Sequence, residues 1–154
     1  MSNEGRKELI VSAIENGTVI DHIPTHAVLQ VMRILNLEQS PHQVLFGVNL
    51  ESKKYGRKGI IKVRDKFFDS IEINKIALVA PTATLIEIRD FEVVSKKNVE
   101  IPDTVEGFVK CFNPRCITNH EEVPTRFMVV DKENLKLLCH YCEKITKKEN
   151  IVFL

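Results

Sequence analysis

Four cysteines in the last third of the chain form the pattern best suited to a chemical role. They occur as two close pairs, Cys111-x4-Cys116 and Cys139-x2-Cys142, and the sequence contains no other cysteine. Two such pairs on a short segment suit one tetrahedral Zn²⁺ per chain, because each pair can supply two thiolates from a tight turn. Since four protein ligands leave no open coordination position, the metal is predicted to be structural and not catalytic.

Two disulfides, or unliganded thiols, are the alternatives to this metal site. The N-terminus carries charges early and lacks the apolar stretch of a secretory signal, so the cytoplasm is the expected compartment and disulfides are disfavoured there. The sequence has no run of 18 apolar residues, so neither a spanning helix nor a membrane partner is expected. His120 and His140 are near enough to compete as ligands, but the four cysteines already complete the site.

A polar stretch around residues 95–103 is predicted to link two domains. The first, residues 1–100, needs no metal, whereas the second, residues 101–154, is too short to build a sufficient core alone. Metal binding would therefore supply folding free energy to the second domain. Acidic and basic residues nearly balance there, which removes the basic footprint expected of a nucleic-acid-binding zinc ribbon. That class of protein is kept as the alternative function.

The first hundred residues alternate between strand and helix patterns. Strands are predicted at 18–23, 43–51, 57–66, 83–88 and 91–96. Helices are predicted at 25–36, with Thr25 as N-cap, and at 71–79. The order βαββαβ plus a terminal strand predicts a ferredoxin-like antiparallel sheet with two helices on one face. The predicted class is therefore α+β, followed by a small all-β zinc-binding domain, and one sheet face or edge is left for a ligand or partner.

Two polar features of these strands each allow either a purely structural or a functional interpretation. Asp21 and His22 could cap the following helix, or they could form the polar floor of a small-ligand site. The lysine-rich strand 57–66 could be a solvated edge protected against aggregation. Alternatively, Lys62, with Lys96 from the last strand, could neutralise a triphosphate. The chain lacks a Walker loop, a nucleophile elbow and a metalloprotease motif, so an independent active site is not expected, and a small-molecule-metabolising enzyme is the third hypothesis.

Several short motifs fall in order across nearly the whole chain. They are Gly17-Thr-Val-Ile-Asp-His-Ile-Pro24, Gly47-Val-Asn-Leu50, Gly56-Arg-Lys58 leading to Ile61-Lys62, Ala80-Pro-Thr-Ala-Thr84, Cys111-Phe-Asn-Pro-Arg-Cys116 and Cys139-His-Tyr-Cys-Glu143. Together they make the sequence resemble the regulatory chain of aspartate carbamoyltransferase, an enzyme of pyrimidine biosynthesis. The resemblance implies a non-catalytic subunit with a nucleotide-binding allosteric domain and a zinc domain that contacts the catalytic chain.

The resemblance also implies partners, effectors and site residues. In this family, regulatory homodimers bridge catalytic trimers in a dodecamer of six catalytic and six regulatory chains, which CTP and UTP inhibit and ATP activates. By position, ribose and phosphates would be held by Asp21, His22, Lys62 and Lys96. The base would lie among residues of the N-terminal segment, the first strand and the last strand: Val11, Ser12, Ala13, Ile14, Val19, Phe91 and Val93. The catalytic chain would contact Asn113, Arg115, Glu143 and Lys144, and no nucleic acid is implied.

The sequence departs from the family pattern at four positions. Ser12 stands where an acidic residue is common, and Ile86 stands where an asparagine is expected. Phe91 replaces a tyrosine and lacks its hydroxyl, and Arg115 replaces an asparagine. The first three changes concern the nucleotide site, so they bear on which nucleotides inhibit or activate more than on whether a nucleotide binds.

Overall fold

A computed structural model describes residues 13–154, which form two compact units. One unit ends at Val99, and the other spans Glu100–Leu154. An antiparallel sheet with two α-helices makes up the first unit, and short strands make up most of the second, so the predicted fold class is confirmed. In the described part of the chain, no helix is both long enough and apolar enough to cross a membrane.

The sheet of the first unit has five strands in the order β2-β3-β1-β4-β5, and every neighbouring pair is antiparallel. The strands are β1 (Gly17–Ile23), β2 (Val44–Ser52), β3 (Gly56–Arg64), β4 (Thr84–Arg89) and β5 (Glu92–Asn98). This order is the one expected for a ferredoxin-like βαββαβ unit with β5 added beside β4. Each predicted strand is present, with its ends shifted by at most two residues.

The first predicted helix is shorter than expected and begins differently. A 3₁₀ turn, Thr25–Ala27, precedes α1 (Val28–Ile34), and Asn36 then takes a left-handed conformation with φ 54° that ends the helical segment. Thr25 is not the N-cap, because Pro24 holds that position for the 3₁₀ turn and Ala27 holds it for α1. The Thr25 hydroxyl instead accepts a hydrogen bond from the Asn49 amide at 3.4 Å. The predicted apolar face is correct, since all four of its residues are buried: Ala27, Val28, Val31 and Leu35.

The second helix, α2 (Ser70–Val79), follows its sequence signals closely. Asp69 is the N-cap and accepts a hydrogen bond from the Glu72 amide at 2.8 Å, while the Glu72 carboxylate accepts from the Asp69 amide at 3.2 Å. This reciprocal capping box satisfies two amides that the helix itself cannot pair. Ile76 and Ala77 are buried, so this helix contributes its apolar face to the same core as α1.

The two faces of the sheet differ because neighbouring residues of a strand point to opposite sides. On β3, Gly59, Ile61 and Val63 are buried on the side that faces α1. Their partners on β1 across the ladder, Ile20 for Ile61 and Thr18 for Val63, are buried too. Lys58, Ile60 and Lys62 alternate with these residues and lie on the opposite side, which we call the open face.

Gly59 is required where α1 crosses the sheet. A Cβ atom at this position would collide with the Val28 side chain of α1. We expect Gly59→Ala to lower the free energy of unfolding by about 1–3 kcal/mol, since overpacking forces side chains and backbone to move. Urea denaturation followed by circular dichroism measures this change.

Gly47→Ala is the matched control for this substitution on the neighbouring strand. A Cβ atom at Gly47 would meet only the Leu50 side chain, at 3.3 Å, and that side chain can adjust. Equal stability losses for the two variants would contradict the packing argument for Gly59.

The second unit is built on small antiparallel sheets. One sheet has the order β10-β9-β8-β6, formed by β10 (Ile145–Lys147), β9 (Lys136–Cys139), β8 (Arg126–Asp131) and β6 (Thr104–Glu106). The other pairs β11 (Val152–Phe153) with β7 (Val109–Lys110). Val105, Phe127 and Leu137 are almost fully buried, yet this core comes from only 55 residues, Glu100–Leu154, which is small for a unit without a further constraint.

Candidate metal centre and effector site

The four cysteine sulfurs converge in the second unit. Cys111 follows β7, Cys116 precedes the 3₁₀ turn Ile117–Asn119, and the pair Cys139 and Cys142 spans the turn between β9 and β10. All four Sγ atoms lie within 4.8 Å of one another, with 3.6 Å between Cys111 and Cys142 and 3.7 Å between Cys116 and Cys139. Sulfurs bound to one Zn²⁺ at about 2.3 Å would lie about 3.8 Å apart in a tetrahedron, so the donor set fits one ion.

Hydrogen bonds outside the sulfurs hold both knuckles in shape. The Asn119 side chain donates to the Cys111 carbonyl at 3.0 Å and to the Asn113 carbonyl at 2.8 Å. The Thr118 hydroxyl donates to the Cys116 sulfur at 3.2 Å. In the second knuckle, the Glu143 amide donates to the Cys139 carbonyl at 3.1 Å with Glu143 in a left-handed conformation, φ 60°. Partners of this kind orient metal ligands and tune their basicity.

The environment of the thiols favours the binding of a cation. Burial raises the pKa of Cys111 and of Cys139, so these thiols keep their protons until a positive charge arrives. Burial acts in the same sense on Cys142, but hydrogen bonds from the Asn113 side chain and the Lys144 backbone outweigh it and lower its pKa to about 7. Metal binding would release the remaining protons, as is usual for thiolate sites.

The two histidines considered as rival ligands lie outside the sulfur cluster. His120 Nε2 is 2.8 Å from the Pro114 carbonyl oxygen, and the His140 ring packs edge-on against Tyr141 with centroids 5.1 Å apart. The metal-ligating group formed by the described residues contains cysteines only.

The residues predicted to contact a catalytic chain lie at the two knuckles. Arg115, Glu143 and Lys144 are exposed, and Asn113 is half-buried. Asn113 also shapes its knuckle, because its carbonyl accepts from the Cys116 amide at 3.0 Å and its side-chain oxygen accepts from the Arg115 amide at 3.1 Å. An ordered metal centre would therefore fix the backbone that carries these four side chains.

The predicted nucleotide residues of the first unit lie mostly on the open face. Strand register places Lys62, Val19, Ile86 and Lys96 side by side in one row across β3, β1, β4 and β5. A second row, two residues along, contains Asp21, Thr84 and Asn98. A third row lies on the same face, on the other side of the first row, and there Ile88 pairs with Val93. The open face thus changes from polar to apolar across three neighbouring rows.

The remaining predicted residues surround these rows or fall outside the described chain. Ile14 is buried and Ala13 is exposed, just before β1. Phe91 lies in the tight turn between β4 and β5, is 66% exposed, and donates its amide hydrogen to the Glu15 carbonyl at 2.9 Å. Val11 and Ser12 lie outside the described residues.

Asp21 and His22 do not cap a helix. The Asp21 carboxylate forms an ion pair with Lys58 at 2.8 Å and accepts a hydrogen bond from the His22 amide at 2.6 Å. His22 takes a left-handed conformation, φ 55°, at a register irregularity between β1 and β3. Its ring nitrogen Nδ1 lies 3.0 Å from the Thr84 hydroxyl, and its ring packs edge-on against Tyr55. A cavity of about 260 Å³, bordered in part by Tyr55 and Lys58, adjoins the His22 ring.

Charge and burial tune the basic groups of this face. Burial lowers the pKa of Lys62, and the neighbouring Asp21 carboxylate opposes that shift. Burial also lowers the pKa of His22, against the effect of Asp21, and nearby cations add to the lowering: Lys58, Lys54 and Lys96. Each of these groups would therefore be better stabilised in its charged form by an added anion.

Sequence reasoning missed three residues that the fold brings to Asp21 and His22. From the sequence, Lys58 is one residue of the lysine-rich strand 57–66, Thr84 ends the motif Ala80-Pro-Thr-Ala-Thr84, and Asn98 carries no signal of a role at the site. Their proximity follows from strand register, which no local pattern in the sequence specifies. Strand periodicity does not mark them either, because Thr82 lies in the turn before β4 and only Thr84 is on the strand.

Comparison with known proteins supplies the family. The family model described as the aspartate carbamoyltransferase regulatory chain, allosteric domain, matches residues 9–100, and the one described as its metal binding domain matches residues 103–152. The chain belongs to the aspartate carbamoyltransferase regulatory chain family. The predicted resemblance is confirmed, as is the prediction of a regulatory chain and not an enzyme.

Relatives from distant organisms match over almost the full length. Proteins named aspartate carbamoyltransferase regulatory chain from Bacteroides thetaiotaomicron and Thermococcus sibiricus are 53% and 56% identical to this chain. The alignments cover 99% of both chains in the first case, and 95% of this chain and 96% of the relative in the second. A Pyrococcus abyssi protein of the same name is 53% identical over 94% of this chain and 97% of its own. The metal-binding description agrees with the cysteine cluster of this family member.

Proposed function

We propose that this regulatory chain binds nucleoside triphosphate effectors on its open face and docks on the catalytic chain of aspartate carbamoyltransferase through its cysteine knuckles. The row formed by Lys62, Val19, Ile86 and Lys96 carries the first half of this proposal. It spans three interstrand steps, roughly 14 Å, with a lysine at each end and apolar side chains between. Val19 is already buried, whereas Ile86 is half-buried, so a nucleotide lying across β1 and β4 could pack on Ile86 and direct its phosphates to an ammonium group.

The electrostatics of the open face favour an anionic ligand. The pKa of Lys62 is lowered chiefly by burial, which means that its charged form is penalised in the chain alone. A phosphate beside Lys62 would remove that penalty, since an opposite charge nearby favours the ionised ammonium. Asp21 in the adjoining row, and His22 beside it, would then face the ribose and the first phosphate, with Val93 and Phe91 toward the base.

The cysteine cluster supports the second half of the proposal. One structural Zn²⁺ per chain is the ion that best suits four thiolates in a tetrahedral arrangement. It would fix the two knuckles that carry Asn113, Arg115, Glu143 and Lys144, and so shape a docking surface for the catalytic chain. The expected assembly is the family's dodecamer in the cytoplasm, with regulatory homodimers between catalytic trimers.

In this scheme the nucleotide acts by shifting a two-state quaternary equilibrium. An effector can shift that equilibrium only by its difference in affinity for the two states. CTP and UTP would stabilise the less active state and ATP the more active one. Ile86 lies in the row between Lys62 and Lys96, and Phe91 lies in the turn between β4 and β5. These two departures, together with Ser12 outside the described residues, are the positions at which effector preference would differ between family members.

The decisive experiment is co-purification with the cognate catalytic chain, followed by aspartate carbamoylation assays with each nucleotide. A stable complex whose activity falls with CTP or UTP and rises with ATP is expected. Absence of a complex would overturn the docking proposal, and a complex indifferent to all three nucleotides would overturn the effector proposal. Strong, salt-dependent binding of RNA or DNA by the isolated chain would instead favour the zinc-ribbon alternative.

A further inference from the structure

The backbone of His22 is held in an uncommon conformation by its neighbours. Its φ of 55° is rare for a residue with a side chain and is maintained where the surroundings over-determine it. The His22 amide donates to the Asp21 carboxylate at 2.6 Å, and the His22 carbonyl accepts from the Thr82 hydroxyl at 2.8 Å. These contacts place the imidazole over the second row of the open face, beside Thr84.

The hydrogen bonds of Thr84 determine which nitrogen of His22 carries the proton. Thr84 is buried, and its hydroxyl has a single hydrogen, which it donates to the Asn98 side-chain oxygen at 3.0 Å. The same hydroxyl lies 3.0 Å from His22 Nδ1, so toward the ring it can only accept. Nδ1 must then be the protonated nitrogen, and Nε2 is left for a ligand.

Asn98 is well placed to fix this arrangement. It is the last residue of β5 and lies opposite Thr84 in the β4–β5 ladder. The next amide along the chain, that of Val99, donates to the Ala83 carbonyl at 3.0 Å, so backbone bonding continues past Asn98. The side-chain oxygen of Asn98 is thereby held against Thr84, although Asn98 itself is largely exposed to solvent.

We propose that Asn98 is a positioning residue for the effector site, acting through Thr84 to hold His22 in the Nδ1–H tautomer. The inference deepens the proposed function, on which its link to nucleotide binding rests. When the ring is neutral, Nε2 presents a lone pair to a ligand hydroxyl. When the ring is protonated, Nε2–H presents a donor to a phosphate oxygen. In either state the ring keeps the same orientation.

Loss of the Asn98 oxygen frees the Thr84 hydroxyl to rotate. The hydroxyl can then donate to Nδ1, which moves the ring proton to Nε2 and removes the acceptor from the ligand side. We expect Asn98→Ala to weaken CTP binding roughly three- to tenfold, the effect typical of one mispositioned hydrogen bond. Asn98→Asp keeps an acceptor oxygen at the same place and should preserve the tautomer.

The tautomer can be read directly in the metal-loaded full-length chain. Long-range ¹H–¹⁵N spectra of histidine-labelled protein at pH 8, assigned with His22→Gln, distinguish protonated Nδ1 from protonated Nε2. The Nδ1–H form is expected for the wild type and Asn98→Asp, and a shift toward Nε2–H is expected for Asn98→Ala. Val94→Thr, an exposed uncharged position on the same strand, is the matched control and should resemble the wild type.

Two results would overturn the assignment of Asn98. One is a wild-type His22 with the proton on Nε2, and the other is an unchanged tautomer in Asn98→Ala. A tautomer shift in Asn98→Ala with unaltered calorimetric affinity for CTP would refute its role in the effector site. A wild-type chain with the Nδ1–H ring that binds no nucleotide would overturn the proposed function but leave the hydrogen-bond chain intact, so the two failures are distinguishable.

Discussion

Removing the metal, or replacing Cys111 by alanine, will dissociate the chain from its catalytic partner and leave the first unit folded. The second unit has a small core, and its four sulfurs lie within 4.8 Å of one another around a single point. Metal binding in small zinc modules is worth on the order of 10–16 kcal/mol, which exceeds what such a core can replace. The first unit contains its own sheet and helices and none of the ligands, so its folding does not depend on the ion.

Gel filtration with metal analysis of the complex tests this expectation. Chelation should release the regulatory chain in step with metal loss, while far-ultraviolet circular dichroism retains the helical signal of α1 and α2. Glu149→Gln is the matched control, because Glu149 is exposed in the second unit and is not a ligand. A Cys111→Ala chain that remained assembled without bound metal would refute the structural role of the site.

Loss of the hydrogen bond that supports one of these ligands is expected to have a weaker effect on metal binding. Thr118→Val removes the hydroxyl that donates to the Cys116 sulfur but leaves all four thiols. Loss of such a supporting contact typically weakens metal binding about 10- to 100-fold. Competition with a chromogenic chelator measures the affinity, and a value equal to that of the wild type would show that the contact does not tune the metal.

The sequence predicted those parts of the fold that depend on local pattern. The β-branched run of β1, the alternation of β3 and the capping residues of α2 are all local signals, and the corresponding elements are present. The spacing of the cysteines is local as well, and it predicted that the four sulfurs would converge. The error at the start of α1 has a physical cause, since Pro24 fixes the entry to the helix and the Thr25 hydroxyl accepts from Asn49 instead.

The arrangement of the open face could not be predicted in the same way. The row that brings Lys62 beside Val19, and Ile86 beside Lys96, depends on the register of four strands that are distant in sequence. Likewise, the irregularity in β1 turns His22 toward Thr84, and only tertiary structure reveals Asn98 behind it. The family resemblance therefore identifies the nucleotide residues, because no local pattern of the sequence specifies them.

Lys62→Ala will weaken binding of CTP and ATP at least tenfold, which corresponds to about 1.4 kcal/mol. Lys62 is half-buried on the open face beside Val19, and burial lowers the pKa of its ammonium group. Burial penalises the charged form in the absence of a ligand, whereas a bound phosphate would lose a close positive charge, so the substitution is expected to lower nucleotide affinity more than stability. Affinity and stability are thus expected to respond differently to the same substitution.

Isothermal titration calorimetry gives the affinity, and thermal unfolding of the same preparations gives the stability. Lys147→Ala is the matched control, since it removes an equal charge from an exposed position of the second unit. Raising the salt concentration should weaken wild-type binding more than binding to Lys62→Ala, because the variant has lost one screened attraction. Unchanged binding of both nucleotides would remove Lys62 from the site. A loss confined to one of them would instead place Lys62 at the part of the ligand in which CTP and ATP differ, which is the base.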